Sequence, residues 1–379
     1  MSGPSGTGGM NVDPTTLLGG GGVRRQLLTT TIAVLLGLLI GALLILVSSQ
    51  LQGNPFDITL PVTAFEALFR GSLGTDRAIA NTLNQAAPLI LAGLSVAFGF
   101  RAALFNIGAQ GQFFVGAFAA ALIGAYLKVP APIHLPLAIL GGLLGGAAWG
   151  FIPGVLKAWR GAHEVVTTIM LNSVAALWLN LLASTLFLDA QASFPRTPDV
   201  AAAATLPIIW AGTRLHLGIV IAVVTAILIW VLLFKTTLGF EIRMVGVNPS
   251  AARYAGIRPA VITVLTMSLA GGLAGLAGMV EILGITKNYP AEYNSTYGFD
   301  GIAVALLGRA HPAGVVGAAL LFALLRTGAG TMQRATDIPV DIITIIQGVI
   351  ILFVAAEVVI KRLLPAARGA RAQAEPAAA

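Results

Sequence analysis

The chain alternates long apolar runs with short polar gaps. A membrane-crossing helix needs about 20 apolar residues, and most of the runs come close to that length or exceed it. The predicted spans are residues 27–47, 88–100, 105–126, 134–156, 165–188, 215–234, 260–285, 314–325 with its flanks, and 340–360. The apolar segment 299–307 is too short to cross, which predicts a half-depth helix. The pattern predicts an all-α polytopic membrane protein with about ten transmembrane segments.

The polar gaps indicate the topology. Arg101, Lys157 and Lys235 follow predicted spans, and Lys361 follows the last one. Basic residues collect on the cytoplasmic side of a membrane, so both termini are expected to be cytoplasmic. The gaps 50–84, 189–214 and 286–297 are then expected to be external.

The two ends of the chain differ from the rest. Residues 1–22 are rich in Gly, Ser, Thr and Pro, which predicts a disordered tail. Residues 23–363 form the predicted transmembrane domain, and residues 364–379 a basic, Ala-rich tail. A cleaved signal peptide is the alternative for 27–47, but the run is long for one and lacks a clear small-x-small cleavage site.

Composition agrees with a membrane protein. The chain is 57% hydrophobic and 10% charged, whereas soluble domains carry about 25% charged residues. The net charge of +7 would fit nucleic-acid binding, but the basic residues fall between apolar runs, as expected for a membrane protein. Cysteine is absent, and no phosphate-binding G-x-x-x-x-G-K-[ST] motif occurs.

A short polar island, residues 241–258, separates two long apolar runs. Asn248 is a good helix cap because its side-chain oxygen accepts a free backbone N–H. Pro249 suits the first helical position, and Gly256 suits a left-handed stop. The island therefore predicts a helix of about two turns, too short to span a bilayer but well shaped for another protein's groove. An ordinary solvated loop helix is the alternative.

Four segments together resemble a known family. They are RAALFNIGAQGQFFVGAFAA at 101–120, EVVTTIMLN at 164–172, MVGVNPSAARYAGI at 244–257, and GFDGIAVALLGRAHPAG at 298–314. In this order they resemble permease subunits of ABC importers for nucleosides, simple sugars and branched-chain amino acids. The first and last segments look most similar to nucleoside members, so nucleosides are the expected solute, with ribose- or galactose-type sugars and then branched-chain amino acids as alternatives.

The resemblance implies partners and a location. Such a permease lies in the bacterial inner membrane, pairs with a second permease that is homologous or identical, and receives a small neutral solute from an extracytoplasmic binding protein. It binds no nucleic acid and no cofactor, because ATP and Mg²⁺ belong to separate ATPase subunits. The segment that resembles the coupling helix would dock on those subunits. It comprises Val247, Asn248, Pro249, Ser250, Ala251, Ala252, Arg253, Tyr254, Ala255 and Gly256.

Polar residues in apolar surroundings are the candidates for the solute pathway, because unpaired polar groups are costly in lipid. They are Asn106, Gln110, Gln112, Asn172 and Asp300. Uncharged amides suit a neutral solute, but they also join helices by hydrogen bonds, and both roles remain open. The family usually has Glu at the position of Gln110. Asp300 fits a helix cap or a pathway residue.

Other residues fit structural roles. Glu164, Thr167, Thr168 and Asn172 are predicted to share one helix face, and Glu164 is predicted to make a structural or inter-subunit contact. Glycine pairs spaced G-x-x-x-G predict close helix packing; they are Gly37/Gly41, Gly141/Gly145, Gly142/Gly146 and Gly271/Gly275. A weak likeness between residues 105–125 and 299–324 predicts an internal pseudo-repeat.

Two rival functions were weighed. An ion-gradient transporter would need buried carboxylates, for which only Glu281 and Asp300 qualify. An intramembrane enzyme would need a nucleophile paired with a base, and the four scattered histidines provide no such arrangement. Transport without catalysis in this chain is therefore the expectation.

Overall fold

The computed structural model describes residues 23–53 and 55–354, and the two tails predicted at 1–22 and 364–379 lie outside them. The described part folds into helices joined by short connections and one long loop. In chain order they are α1 (Val23–Leu51), α2 (Leu60–Leu73), α3 (Asp76–Arg101), α4 (Ala109–Tyr126), α5 (Ala131–Arg160), α6 (Glu164–Ser184), a 3₁₀ turn (Ala202–Ala204), α7 (Gly218–Lys235), α8 (Thr237–Val247), α9 (Pro249–Tyr254), α10 (Pro259–Glu281) with a π turn (Ile282–Thr286), α11 (Tyr297–Leu307), α12 (Pro312–Thr336) and α13 (Asp341–Val354).

Eight of the described helices are long and apolar enough to cross a membrane, namely α1, α3, α4, α5, α6, α7, α10 and α12. Helix α11 and the described part of α13 are shorter apolar helices. With 11 residues, α11 is about 16 Å long, roughly half of the hydrocarbon core. The prediction of an all-α polytopic membrane protein is confirmed, and the segment predicted to be too short to cross is a short helix.

Residues 50–84, predicted as a polar external stretch, contain α2 and the first turns of α3. Helix α3 begins at Asp76, where the Thr75 side chain caps it by accepting from the Ala78 N–H. It continues through Pro88, which was predicted to open the span. Hydropathy missed these turns because their polar groups are satisfied inside the protein, as when the Thr82 hydroxyl donates to the Ser72 carbonyl at 2.9 Å.

Helix α8 was also missed, since it is an amphipathic helix that opens the polar island. The Thr236 hydroxyl caps it by accepting from the Gly239 N–H. Its other end lies against the end of α3: a Cβ on Gly246 would lie only 2.3 Å from the Arg101 carbonyl oxygen. Glycine is required at this close approach.

The most extensive contact between two helices of the described residues is the packing of α5 on α10. Gly142, Gly146, Gly271 and Gly275 face one another there, and a Cβ on Gly146 would lie 2.2 Å from the Gly271 carbonyl oxygen. Small residues allow this backbone approach in the absence of a hydrophobic driving force. The predicted role of these glycines in close helix packing is confirmed.

Loop 185–217 packs against residues 282–295 at one end of the bundle. The Val200 N–H donates to the Lys287 carbonyl and the Leu206 N–H to the Leu283 carbonyl. We call this the loop end. The other end, called the basic end, contains the last residues of α3, α7 and α11, together with α8 and α9.

Candidate coupling helix and buried polar groups

Helix α9 begins as the sequence predicted. The Asn248 side-chain oxygen accepts from the Ser250 and Ala251 N–H groups, both at 3.0 Å. Pro249 occupies the first helical position, and Gly256 has φ +86°, a left-handed conformation that favours glycine. Two orphan N–H groups are thus satisfied, which keeps this two-turn helix formed between α8 and α10.

Most residues of α9 are exposed. Tyr254 is 96% exposed, and Ser250, Ala251, Arg253 and Ala255 are exposed around it. Ala252 is the exception: it is fully buried and faces the protein. Any partner on α9 would therefore touch the other residues, while Ala252 holds the helix in place.

A cluster of cationic and aromatic groups links α8 to three other helix ends at the basic end. The guanidinium carbons of Arg101 and Arg243 each lie 5.3 Å from the centroid of the Phe234 ring. Arg101 Nε also donates to the Ala310 carbonyl at 2.9 Å, in the turn between α11 and α12. Burial, followed by the charge of Arg101, lowers the pKa of His311 in the same turn. The end of α3 thus connects the polar island to the half-depth helix.

Asn106 and Gln112 form a reciprocal amide pair. Asn106 Nδ2 donates to Gln112 Oε1 at 2.8 Å, and Gln112 Nε2 donates to Asn106 Oδ1 at 3.0 Å. Both side chains are buried, and Asn106 also reaches the Ser95 hydroxyl at 3.2 Å. With their polar atoms paired to each other, these two amides join α3 to α4, as in the helix-joining alternative.

Gln110 joins two helix starts. Its Oε1 accepts from the Gly298 and Phe299 N–H groups at 2.9 and 3.2 Å, and its Nε2 donates to the Ser295 carbonyl at 2.5 Å. Gln110 lies in the first turn of α4, so it fixes that turn against the first turn of α11. The two segments of the predicted pseudo-repeat therefore meet inside the bundle.

Asn172 holds α6 against the loop that precedes α4. It accepts from the Gly111 N–H at 2.8 Å and donates to the Ile107 carbonyl at 2.9 Å. Glu164, at the start of the same helix, pairs with Lys157 Nζ at 2.5 Å. Glu164, Thr168 and Asn172 are all buried, so the shared helix face is observed.

Asp300 differs from the four amides because it is partly exposed and paired with a charge. Its Oδ2 accepts from Thr296 Oγ1 at 2.8 Å and from Arg326 Nη1 at 3.0 Å. The Arg326 guanidinium also covers the Tyr297 ring at 4.8 Å. Arg326 was absent from the sequence candidates because the predicted span ended at residue 325. The signal was present as a single arginine inside the apolar stretch of α12.

A cavity of about 650 Å³ lies apart from these groups, between α2, α3 and the end of α12. Arg70, Arg77 and Arg334 are among its lining residues. The predicted pathway residues do not line it.

Comparison with known proteins identifies the family. Residues 78–355 match the family model described as "Branched-chain amino acid transport system / permease component". The chain belongs to this permease family. The match covers every element described above from the first turn of α3 through α13.

The permease resembles several curated relatives over most of its length. It is 41% identical to the guanosine ABC transporter permease protein NupP of Bacillus subtilis, over 87% of this chain and 93% of NupP. It is 36% identical to the nucleoside ABC transporter permease protein NupB of Lactococcus lactis, over 90% and 93%. The glucose ABC transporter permease protein TsgB13 of Haloferax volcanii is 35% identical, over 80% and 82%. No solved structure matches the chain.

Proposed function

We propose that this permease is the membrane-spanning subunit of an ATP-binding-cassette importer that carries nucleosides. Similarity to NupP and NupB over most of the chain supports the solute class. The exposed, capped helix α9 supports the mechanism, and it is the observation on which the proposal depends most. A family permease that presents a small helix with a 96% exposed tyrosine needs a partner surface for it.

In this proposal α9 docks on an ATPase subunit at the cytoplasmic face. The exposed residues Ser250, Ala251, Arg253, Tyr254 and Ala255 make the contact. Exposed aromatic and arginine side chains of this kind commonly dominate interface energetics. The basic end is then cytoplasmic, as the positive-inside rule requires, and both termini lie on the same side.

Motion of α9 has a contact route into the membrane. Helix α9 follows α8 directly, and α8 lies against the end of α3 at Gly246. Arg101 at that end holds the turn at Ala310, which joins α11 to α12. A displacement of α9 driven by ATP binding would therefore reach the half-depth helix and shift the balance between inward- and outward-facing states.

The remaining partners complete the transporter. A second permease, identical or homologous, would enclose the pathway, and an external binding protein would deliver solute to the loop end. ATP and Mg²⁺ would be held by the ATPase subunits. Asn106, Gln110, Gln112 and Asn172 would shape the pathway by fixing its helices, whereas Asp300 would face the pathway itself.

Uptake competition tests the solute class. Labelled guanosine uptake by the complete transporter in proteoliposomes with internal ATP is expected to fall with excess unlabelled nucleosides. Excess ribose, glucose or leucine should leave it unchanged. No guanosine uptake, together with ATP-dependent uptake of labelled glucose or ribose, would replace the nucleoside assignment with a sugar. Full guanosine uptake on an ion gradient without ATP would contradict the assignment to the ABC importers.

A further inference from the structure

A partly exposed ion pair occupies the middle of the bundle. Asp300 lies in the first turn of the half-depth helix α11, and Arg326 lies near the middle of α12. Their side chains are 30% and 39% exposed. Ionisable groups at this depth are too costly to leave against lipid and normally face a protein interior or a water-filled cavity. The surface around Asp300 and Arg326 must therefore be covered by something other than hydrocarbon.

The geometry points to a nucleoside contact site formed by Phe299, Asp300 and Arg326 on the pathway side of this chain. The inference rests on the proposed function and adds the residues that would read the solute. In it the carboxylate accepts hydrogen bonds from the ribose hydroxyls, and the aromatic ring stacks on the base.

The Asp300 carboxylate can accept a further hydrogen bond. Both of its hydrogen bonds use Oδ2, and among the described residues Oδ1 has no partner. Arg326 Nη1 donates to Asp300 Oδ2 at 3.0 Å and so fixes the direction of the carboxylate. A carboxylate held in this way suits vicinal hydroxyl donors, which can share the two lone pairs of Oδ1.

Phe299 is the residue proposed to contact the base of the nucleoside. It is the residue before Asp300 and is 47% exposed. The Gln110 side chain accepts from its N–H, so the start of the helix is held firmly. Stacking of a base on an aromatic ring is favourable and tolerates different bases because every base has a π-face. The two side chains can contact different parts of a nucleoside, the aromatic ring the base and the carboxylate the ribose.

A pair of solutes separates hydroxyl recognition from other effects. Uptake of guanosine and 2′,3′-dideoxyguanosine should be measured at saturating solute with the complete transporter, for the wild type, Asp300→Asn and Asp300→Glu. The binding protein is the same throughout, so a change in the ratio of the two rates reports on the permease. Asp300→Asn is expected to lower this ratio about tenfold, the effect of losing one charge-assisted hydrogen bond, and Asp300→Glu should restore part of it.

Control variants separate an effect on solute recognition from a general loss of function. Asp76→Asn removes a carboxylate at the far end of α3, and it should leave the ratio unchanged. Phe299→Leu should lower uptake of both solutes alike, and Phe299→Tyr should retain it. Co-purification of the subunits and basal ATP hydrolysis show that each variant assembles.

Three results would overturn the inference. The first is an equal fall for both solutes in Asp300→Asn, which would mean that the ion pair serves structure or the permease interface. The second is no change in that variant, and the third is normal uptake in Phe299→Leu. Absence of guanosine uptake in the wild type would instead contradict the proposed function and is thereby distinguished.

Discussion

Single side chains fix the internal geometry of this permease, and Gln110 is the clearest case. Its oxygen serves the Gly298 and Phe299 N–H groups, which have no carbonyl partner within α11 because they lie in its first turn. Its amide nitrogen serves the Ser295 carbonyl. Inside a bilayer no water is present to bond these backbone groups. The Gln110 side chain therefore stabilises the start of the half-depth helix.

The effect of substituting Gln110 on stability should therefore depend on whether the new side chain can still accept these hydrogen bonds. Gln110→Leu would leave the Gly298 and Phe299 N–H groups unpaired and should destabilise the protein by about 2–4 kcal/mol. Gln110→Glu loses the donor to the Ser295 carbonyl, but it keeps an acceptor for both N–H groups and places a negative charge at a helix N-terminus, which is favourable. It should therefore cost less than Gln110→Leu. Thermal unfolding in detergent measures both. Equal midpoints for Gln110→Leu and the wild type would contradict the clamp.

The structural role of a residue could be predicted from the sequence where its partners are close to it in the chain. Asn248, Pro249 and Gly256 act within one short helix, and their cap, first position and stop were all found in advance. The partners of Gln110 at 298 and 299 are far away in the chain, so sequence supplied only the list of buried amides. The Asp300–Arg326 pair was missed for the same reason: one member was assigned to a helix flank.

A helix could be predicted from the sequence where the length of an apolar run or a capping residue defines it. Helices that depend on contacts with the rest of the fold were harder to predict. The apolar runs located the long spans, and the shortness of α11 followed from its length. Helices α2 and α8 contain polar residues that hydropathy assigns to loops. Some of these side chains bond to the backbone of their own helix, as Ser72 does to the Leu68 carbonyl and Arg243 to the Gly239 carbonyl. Close packing of α5 on α10 followed from glycine spacing, but the sequence did not indicate which glycine pairs meet.

The α5–α10 contact should be intolerant of side chains. Gly146→Val would place its Cβ only 2.2 Å from the Gly271 carbonyl oxygen, so the helices must separate and the permease should fail to accumulate as a monodisperse species. Gly317→Ala is the matched control, because nothing lies within 4 Å of a Cβ there. Size-exclusion chromatography of both variants is the measurement, and a normal profile for Gly146→Val would contradict the packing.

The proposed mechanism requires that the basic end of the bundle face the cytoplasm. The loop end is closed by loop 185–217 lying on residues 282–295, and the basic end carries α8, α9 and the Arg101 cluster. An importer needs its ATPase contact on one side and its solute entry on the other. The assignment of α9 to the cytoplasmic side follows from charge.

Labelling of single cysteines would determine this orientation cleanly, because the chain has no cysteine of its own. Ser250→Cys lies on exposed α9, and Ala203→Cys lies on the exposed 3₁₀ turn of the loop end. In intact cells a membrane-impermeant maleimide should label only Ala203→Cys, and Ser250→Cys should react after permeabilisation. The reverse pattern would place α9 outside and remove its proposed partner.

The most direct test is to measure ATP hydrolysis and guanosine uptake together in Ala251→Glu. Ala251 is exposed in the first turn of α9, where a glutamate favours the helix, so α9 should remain formed while its docking surface changes. Ala251→Ser is the size-matched control and should behave as the wild type. The account predicts that Ala251→Glu lowers uptake per ATP hydrolysed at least tenfold, with the transporter still expressed. Wild-type uptake per ATP in that variant would contradict the claim that α9 receives the motion of a nucleotide-hydrolysing partner.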